Sequence, residues 1–282
     1  IEIQGVQVKI IVKGREYVFD PTERVKVVEY SPEAITAVRG LFYVMRAIRG
    51  VPRIYGLPKE DPIESWKKEF TERLLRTLSG EMETTKVYPQ IDFEVLTESL
   101  RVYGGVKGTG ISVKAEVLKA PQVTSQGAYA MLQVDSELQK GLVKMTPFIL
   151  PAERVGFFYA FSRFIFTGGE ERPSGIPKSL GIAAEFINGL IIVGDLRVEA
   201  KGMQCKGSPV EEVQCDGLPV NSLTPDVIDT IIFKIASNLT KEGNLLIVEL
   251  PELYKTSRET KELLSQIRAN LVLVTEEQGI VL

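Results

Sequence analysis

The spacing of apolar residues in this sequence changes repeatedly between the two-residue period of a strand and the 3.6-residue period of a helix. Residues 111–117 alternate apolar and polar side chains, which predicts a half-buried strand. Residues 32–50 place their apolar side chains on one helical arc, with Ser31 as the N-cap, Pro32 at the first helical position and Gly50 as the stop. Hairpin patterns fill the middle of the sequence and strand–helix alternation occupies both ends, so the sequence predicts a mixed α+β fold.

The same patterns predict the other elements. The Asn188-Gly189 dipeptide lies between two apolar runs and predicts a hairpin turn within residues 182–200. No stretch rich in proline, glycine or serine divides the chain, which favours one core with insertions over two tandem domains. Further helices are predicted at 62–79, from Pro151 to before Gly168, at 225–240 and at 257–268, and further strands at 6–13, 25–29, 245–250 and 271–275.

The residue types present exclude several familiar chemistries. The sequence has no histidine, which excludes Ser-His-Asp and Cys-His sites, histidine general bases and zinc sites that use imidazole. Two cysteines are too few for an all-cysteine zinc site or a cysteine-ligated iron–sulfur cluster. Cys205 and Cys215 are most simply two free thiols, and a disulfide or a partial metal site are the alternatives. We therefore expect no catalytic residues, no metal and no cofactor.

Glycines are concentrated in residues 104–110, which read GGVKGTG. A phosphate-binding loop needs its lysine after the second glycine and a helix to follow, whereas here the lysine comes earlier and a strand follows. The segment therefore favours a flexible hairpin tip. The alternative is a backbone that approaches a phosphate chain with the help of Lys107.

Basic residues fall in three segments, each of which also carries glycines. Arg39 and Arg46 are seven residues apart, so they lie on one margin of the first helix, where they either cover the edge of the core or face a polyanion. A net charge of −3 neither marks nor excludes a nucleic-acid-binding protein, because such binding needs only a local basic surface. The other two segments hold Lys107, Lys114 and Lys119, and then Arg172 and Lys178.

Three segments, in this order, resemble the RNA-binding backbone subunit of type I CRISPR surveillance (Cascade) complexes, in the archaeal Csa/Csc-type branch of the RAMP proteins. Residues 29–50, EYSPEAITAVRGLFYVMRAIRG, are similar to that family's strand, turn and first helix. Residues 101–136 are similar to its glycine-rich hairpin, polar loop and core strand. Residues 153–184 are similar to its second core helix, its basic loop and the strand that follows.

The resemblance implies an RRM-like (ferredoxin-like) core that spans residues 1–282 and carries inserted lobes. The implied insertions are a helical one at about 51–100, a projecting β-hairpin at 101–126 and a loop at 200–222. Subunits would stack head to tail on single-stranded CRISPR RNA, together with other Cascade subunits, and would hold its sugar–phosphate backbone without regard to sequence. The contacts that the resemblance implies are Ser31, Arg39, Lys107, Thr109, Gln126, Arg172, Ser174 and Lys178, to which the basic segments add Arg46, Lys114 and Lys119.

Two alternatives remain open at this point. One is an RNA-processing endonuclease of the same superfamily, which would need a general base other than histidine. The other is an α+β protein-interaction module that binds no nucleic acid. The sequence has no uninterrupted apolar run of about 18 residues and no signal-peptide pattern, so we expect a cytoplasmic protein with no membrane partner.

Overall fold

The computed structural model describes residues 6–51, 62–79, 90–97, 100–118, 145–165, 181–191, 196–208, 211–277 and 279–280. Its elements confirm the mixed α+β fold and are compatible with a ferredoxin-like core. The chain forms two compact units, Ile1–Lys26 with Ser31–Pro147, and Val27–Tyr30 with Phe148–Leu282. The prediction of a single domain with insertions stays a prediction.

The first unit contains a five-stranded antiparallel sheet in the order β2-β1-β4-β5-β6. Its strands alternate buried and exposed side chains, as an antiparallel sheet does when only one face is covered. The strands are β1 (Gln7–Val12), β2 (Arg15–Phe19), β4 (Ile91–Leu96), β5 (Leu100–Lys107) and β6 (Gly110–Val117).

Two helices, α1 (Pro32–Gly50) and α2 (Pro62–Ser79), cover the apolar face of this sheet. Gly40 of α1 lies so close to Ile10 that an added Cβ would stand 3.2 Å from its side chain, so the helix approaches the sheet closely. Phe70 of α2 stacks on Trp66 and meets Phe93 of β4 edge-on, with ring centroids 5.2 and 5.9 Å apart. The opposite face of the sheet, which we call the outer face, carries the polar side chains of the strands.

The second unit contains two four-stranded sheets. In the first, the order is β3-β13-β12-β7, and β12 pairs with β13 in parallel across a crossover helix. The second sheet is the antiparallel meander β8-β9-β10-β11. The first sheet has β3 (Val25–Glu29), β7 (Pro147–Leu150), β12 (Leu245–Glu249) and β13 (Asn270–Thr275), and the meander has β8 (Leu196–Ala200), β9 (Met203–Ser208), β10 (Glu211–Cys215) and β11 (Leu218–Pro219).

In the described residues of the second unit there are four helices, α3 (Arg154–Ile165), α4 (Gly181–Ile191), α5 (Pro225–Leu239) and α6 (Ser257–Ser265), with a short 3-10 helix at Val220–Ser222. α3 packs against α4 and α5, and α5 packs against β8. In the described part of the chain, no helix is both long and apolar enough to span a membrane.

Several local predictions are confirmed and two differ from the structure. The Ser31 hydroxyl caps α1 by accepting a hydrogen bond from Ala34 N at 3.0 Å, as predicted. The hairpin predicted within 182–200 is wrong, because Asn188-Gly189 lies inside α4, whose apolar run fits a helix as well as a strand. Residues 200–222, predicted as a loop insertion, contain strands β9 to β11.

Candidate nucleic-acid interface

The β5–β6 hairpin carries the candidate interface. Lys107 pairs with Gly110 across the turn, and Lys107 to Gly110 are all exposed. Gly108 has a φ of +59°, in the left-handed region that glycine adopts at little cost. The sequence therefore needs glycine here to reverse the chain, and the prediction of a glycine-bearing hairpin tip is confirmed.

Gly104 and Gly105 serve packing within the sheet. A Cβ at Gly104 would lie 1.9 Å from the carbonyl oxygen of Ser112 on the neighbouring strand. A Cβ at Gly105 would lie 2.2 Å from Oδ1 of Asp92 on the other neighbour. Gly104 therefore excludes any side chain, because backbone flanks it, whereas at Gly105 the Asp92 side chain would have to move.

Three of the predicted contacts, Lys107, Thr109 and Lys114, share this hairpin and are exposed. Lys107 and Lys114 lie on the outer face, as their positions in the strand register show. Tyr103 lies directly opposite Lys114 on that face, and the lysine Nζ is 5.9 Å from the centroid of the tyrosine ring. Among the residues that the structure describes, no carboxylate pairs with either lysine. The hairpin therefore presents two cations that are available to an anion.

The neighbouring cations of the outer face are instead paired with carboxylates. Arg101 Nε donates to Oε2 of Glu94 at 2.7 Å, and its Nη1 lies 3.5 Å from Oε2 of Glu116. The hydrogen bond to Glu94 raises the pKa of Arg101. Lys9 lies between Glu16 and Glu94, at 3.6 and 3.7 Å. These pairs form a ladder of alternating charge across the strands, which stabilises the sheet, and its three carboxylates outnumber its two cations.

Tyr103 connects this charge ladder to the hairpin. Its hydroxyl donates to Oε1 of Glu116 at 2.7 Å, and this bond raises the pKa of Tyr103. The Arg101 guanidinium carbon is 4.6 Å from the centroid of the tyrosine ring, within cation–π distance. The ring is thus fixed in orientation by both its hydroxyl and its π-face. Sequence reasoning missed Tyr103, although strand alternation places it on the same strand face as Lys107, four residues earlier.

The predicted contacts on α1 have structural roles or partners there. Ser31 is the helix cap, and Arg46 lies over the Phe42 ring at 5.9 Å from its centroid. Arg39 is half-buried and has an interaction partner within the structure. Because α1 packs on the apolar face of the sheet, these residues lie on the other side of the sheet from Lys107 and Lys114. The remaining predicted contacts, Lys119, Gln126, Arg172, Ser174 and Lys178, lie outside the described residues.

The second unit contains a buried charge network that the sequence did not indicate. Arg154 is fully buried and donates from Nε to Oδ1 of Asp229 at 2.5 Å, and from Nη1 and Nη2 to the carbonyls of Glu249 and Leu250 at 2.7 and 3.1 Å. Lys255 Nζ lies 2.8 Å from Oδ2 of Asp229, and burial lowers the pKa of this lysine. Arg154 and Lys255 share the Asp229 carboxylate, and these contacts anchor the loop after β12 to α3 and α5.

The two cysteines are joined. Cys205 and Cys215 face each other in the register of β9 and β10 and form a disulfide. The expectation of two free thiols is therefore wrong, and the disulfide alternative is the correct one. Both residues are buried, so the bond lies within the core of the meander.

The chain was also compared with known proteins. No protein-family model matches it, and no curated protein sequence matches it either. A similar solved structure is that of the recombination mediator protein RecF-ATPrS in the RecFOR pathway. The two chains share 8% sequence identity with a TM-score of 0.35, over 98% of this chain and 93% of that one.

Proposed function

We propose that this chain is a non-catalytic protein that binds single-stranded RNA by its sugar–phosphate backbone, as a repeating subunit on CRISPR RNA in a type I Cascade complex. The choice of CRISPR RNA and of the Cascade complex rests on the resemblance of residues 29–50, 101–136 and 153–184 to the backbone subunit of that complex. The proposal includes head-to-tail stacking of copies along the RNA, contacts with other Cascade subunits and a cytoplasmic location.

The observation that carries the proposal is the position of Lys107, Thr109 and Lys114 on one exposed hairpin. Two ammonium groups that no carboxylate of the described residues pairs with, together with a hydroxyl, can donate hydrogen bonds to phosphate oxygens, and such contacts read no base. A guide-holding protein needs such sequence-independent contacts, because it must accept any guide. The proposal needs no catalytic group.

A titration of fluorescent single-stranded RNA, followed by anisotropy at several salt concentrations, tests the proposal. We expect binding that weakens as salt rises, with each phosphate-contacting lysine contributing a slope of about 0.7 in log K against log salt. Lys107→Ala and Lys114→Ala should each reduce the slope by roughly that amount. Lys241→Ala, which changes an exposed lysine of the second unit, is the matched control and should leave the slope unchanged. Absence of binding at roughly 50 mM salt would overturn the proposal.

A second candidate, a protein-interaction module that binds no nucleic acid, is favoured by the ion pairs of Arg101 and Lys9. Their charges are already matched by Glu94, Glu116 and Glu16, so this part of the outer face offers a polyanion little net attraction. The same titration separates the two candidates, since the module predicts no RNA binding at low salt. Incubation with repeat RNA addresses the endonuclease alternative, because a backbone-binding protein leaves the RNA intact.

A further inference from the structure

The five-stranded sheet of the first unit has two edge strands that run in the same direction. Neighbouring strands of this sheet are all antiparallel and there are five of them, so β2 and β6 are parallel to each other. A second copy of the chain, placed beside β6 in the same orientation, would therefore bring its β2 next to this β6 as a parallel neighbour. The same step can be repeated at each new edge.

The free edge of β6 carries backbone groups without partners among the described residues. Lys107 and Gly110 close a two-residue turn, so Gly110 and every second residue after it direct their N–H and C=O groups to β5. Ile111, Val113 and Ala115 direct theirs away from the sheet, and no backbone hydrogen bond within the described chain reaches them. β6 has eight residues, no proline and no break in its register. Such an edge is open to pairing with another strand.

The free edge of β2 is arranged in the same way. Val12 and Arg15 close the turn between β1 and β2, so Glu16 and Val18 direct their backbone groups away from β1. Among the residues that the structure describes, no backbone hydrogen bond reaches these groups either. Each strand of a parallel pair uses every second residue, so β2 of one copy fits β6 of another with both apolar faces on the same side.

The two edges carry opposite charge on the outer face. Glu16 of β2 has a side chain that is 57% exposed, and it shares its cation, Lys9, with Glu94. On β6, Lys114 has no carboxylate partner among the described residues, whereas the carboxylate of Glu116 already has partners on β5. The excess charge is therefore negative at the β2 edge and positive at the β6 edge. This difference favours a contact between the two edges over a contact of either edge with itself.

The register of the sheet places Lys114 and Val18 in one row across the five strands. The row runs through Val18, Lys9, Glu94, Tyr103 and Lys114. Where the next copy's β2 extends this row, its Val18 lies beside Lys114 and its Glu16 lies diagonally from Lys114. Lys9 has a comparable relation to both residues within the sheet, with 3.6 Å between its Nζ and Oε2 of Glu16. An ammonium group has three donors, so Lys114 can contact this carboxylate and a phosphate of the RNA together.

The apolar side of β6 is incompletely covered. Helix α2 packs against β6, yet Ile111, Val113 and Ala115 remain only half-buried. A strand paired with the free edge would place its own apolar side chains next to these three. On β2 those side chains are Tyr17 and Phe19, which belong to the core side of the sheet.

We infer that copies of this chain associate head to tail, through parallel pairing of β6 of one copy with β2 of the next. The inference rests on the proposed function for the repeated stacking, and it names the two surfaces that meet. Because the two edges differ, the contact does not close on itself and can continue from copy to copy.

Proline substitutions block each edge separately. Ala115→Pro removes an outward N–H from β6 and Val18→Pro removes one from β2, and an edge strand tolerates proline at such positions. Sedimentation velocity at increasing protein concentration, without RNA, measures the association. We expect the natural protein to form a series of species larger than one copy, and each variant alone to sediment as one copy. An equal mixture of the variants should form a species of about twice the mass of one copy and nothing larger, because a single junction remains possible.

The mixture also shows that both variants are folded, because each must supply its intact edge. A charge variant gives a second test that needs no proline. Glu16→Lys places like charges at the junction and should raise its dissociation constant by roughly threefold or more. Glu72→Lys makes the same change of charge on the exposed face of α2 and is the matched control, which should leave the dissociation constant unchanged.

Association of Val18→Pro with itself would overturn the inference, because it would indicate pairing between two β6 edges. A natural protein that remains a single copy at every concentration would overturn it as well. Anisotropy of labelled oligouridine with the same samples reports the proposed function separately. Single copies that bind RNA would leave the proposed function standing, whereas association without RNA binding would overturn the proposed function and leave the edge pairing standing.

Discussion

Arg154 and Asp229 form an ion pair in which neither side chain is exposed, with 2.5 Å between the guanidinium Nε and the carboxylate Oδ1. They are 75 residues apart in the sequence and join the start of α3 to α5. Lys255 contacts the second carboxylate oxygen and also donates to the carbonyl of Asp226 at 3.0 Å. The guanidinium packs between the rings of Phe233 and Tyr254, whose centroids are 5.4 and 5.7 Å from its carbon. The three charged side chains are buried, so removal of one charge would leave its partners without a counter-charge or water to replace it.

Replacement of Asp229 by asparagine should strongly destabilise the protein. The substitution leaves the buried Arg154 and Lys255 without their shared counter-charge, a loss that costs about 3–5 kcal/mol in comparable buried pairs. Urea unfolding followed by circular dichroism measures the change. Glu72→Gln is the control, because it removes an exposed helical ion pair with Arg76 and should change the free energy of unfolding by less than about 0.5 kcal/mol. A loss from Asp229→Asn as small as that of the control would contradict the dependence on this pair.

The ion pair of Lys201 with Asp226 makes stability depend on pH. The Lys201 ammonium lowers the pKa of Asp226 from 3.8 to about 2, and the same hydrogen bond raises the pKa of Lys201. Because the pKa of the folded carboxyl is depressed, its contribution is complete above about pH 4 and is lost as the pH falls towards 2. The contribution of the lysine is complete below pH 10.5 and is lost as the pH rises further.

Lys201→Met should therefore reduce stability most between pH 4 and pH 10, by about 1 kcal/mol or less because both side chains are partly exposed and screened by water. The difference in free energy of unfolding between this variant and the natural protein should shrink as the pH is lowered from 4 to 2. Urea titrations at each pH measure it, with Lys241→Met as the control. If the difference in free energy of unfolding stays constant down to pH 2, titration of Asp226 does not control it.

Gly104→Ala should disrupt the pairing of β5 with β6. The added Cβ would meet the backbone oxygen of Ser112 at 1.9 Å, and backbone cannot move aside as a flexible side chain can. We expect a loss of about 2 kcal/mol or more, measured by thermal or urea unfolding. Gly156→Ala is the matched control, because a Cβ there meets nothing within 4 Å and alanine favours the helix α3 by about 0.5–1 kcal/mol. Equal effects of the two substitutions would contradict the packing role of Gly104.

The parts of the fold that the sequence predicted correctly depend on local chemistry. Ser31 and Pro32 start α1 through a cap and a fixed φ, and both signals lie within a few residues of the helix. Asn188-Gly189 misled because the turn preference of the dipeptide is weaker than the packing of the apolar helix around it. Local signals therefore predict the secondary structure correctly where nearby residues determine it, as the cap does for α1. They fail where packing against the rest of the fold determines it.

The candidate interface was predicted only in part for the same reason. Alternation along β6 was enough to place Lys114 on an exposed face, which also carries Lys107. The position of Asp92 over Gly105 depends on the register of β4 with β5, which the sequence pattern does not contain. The Arg154–Asp229 pair joins residues 75 positions apart and likewise has no local signal.

The disulfide between Cys205 and Cys215 should contribute to the stability of the second unit. The two cysteines are 10 residues apart in the sequence. Closing a loop of this length lowers the entropy of the unfolded chain, which stabilises the folded state by roughly 2–3 kcal/mol. Thiol titration of the denatured, unreduced protein should detect no free cysteine, and reduction should release two. The double variant Cys205→Ala with Cys215→Ala should unfold at lower urea concentration than the oxidised natural protein, and a reducing agent should shift the natural protein but leave the variant unchanged. Two free thiols before reduction, or equal unfolding midpoints with and without reductant, would contradict the prediction.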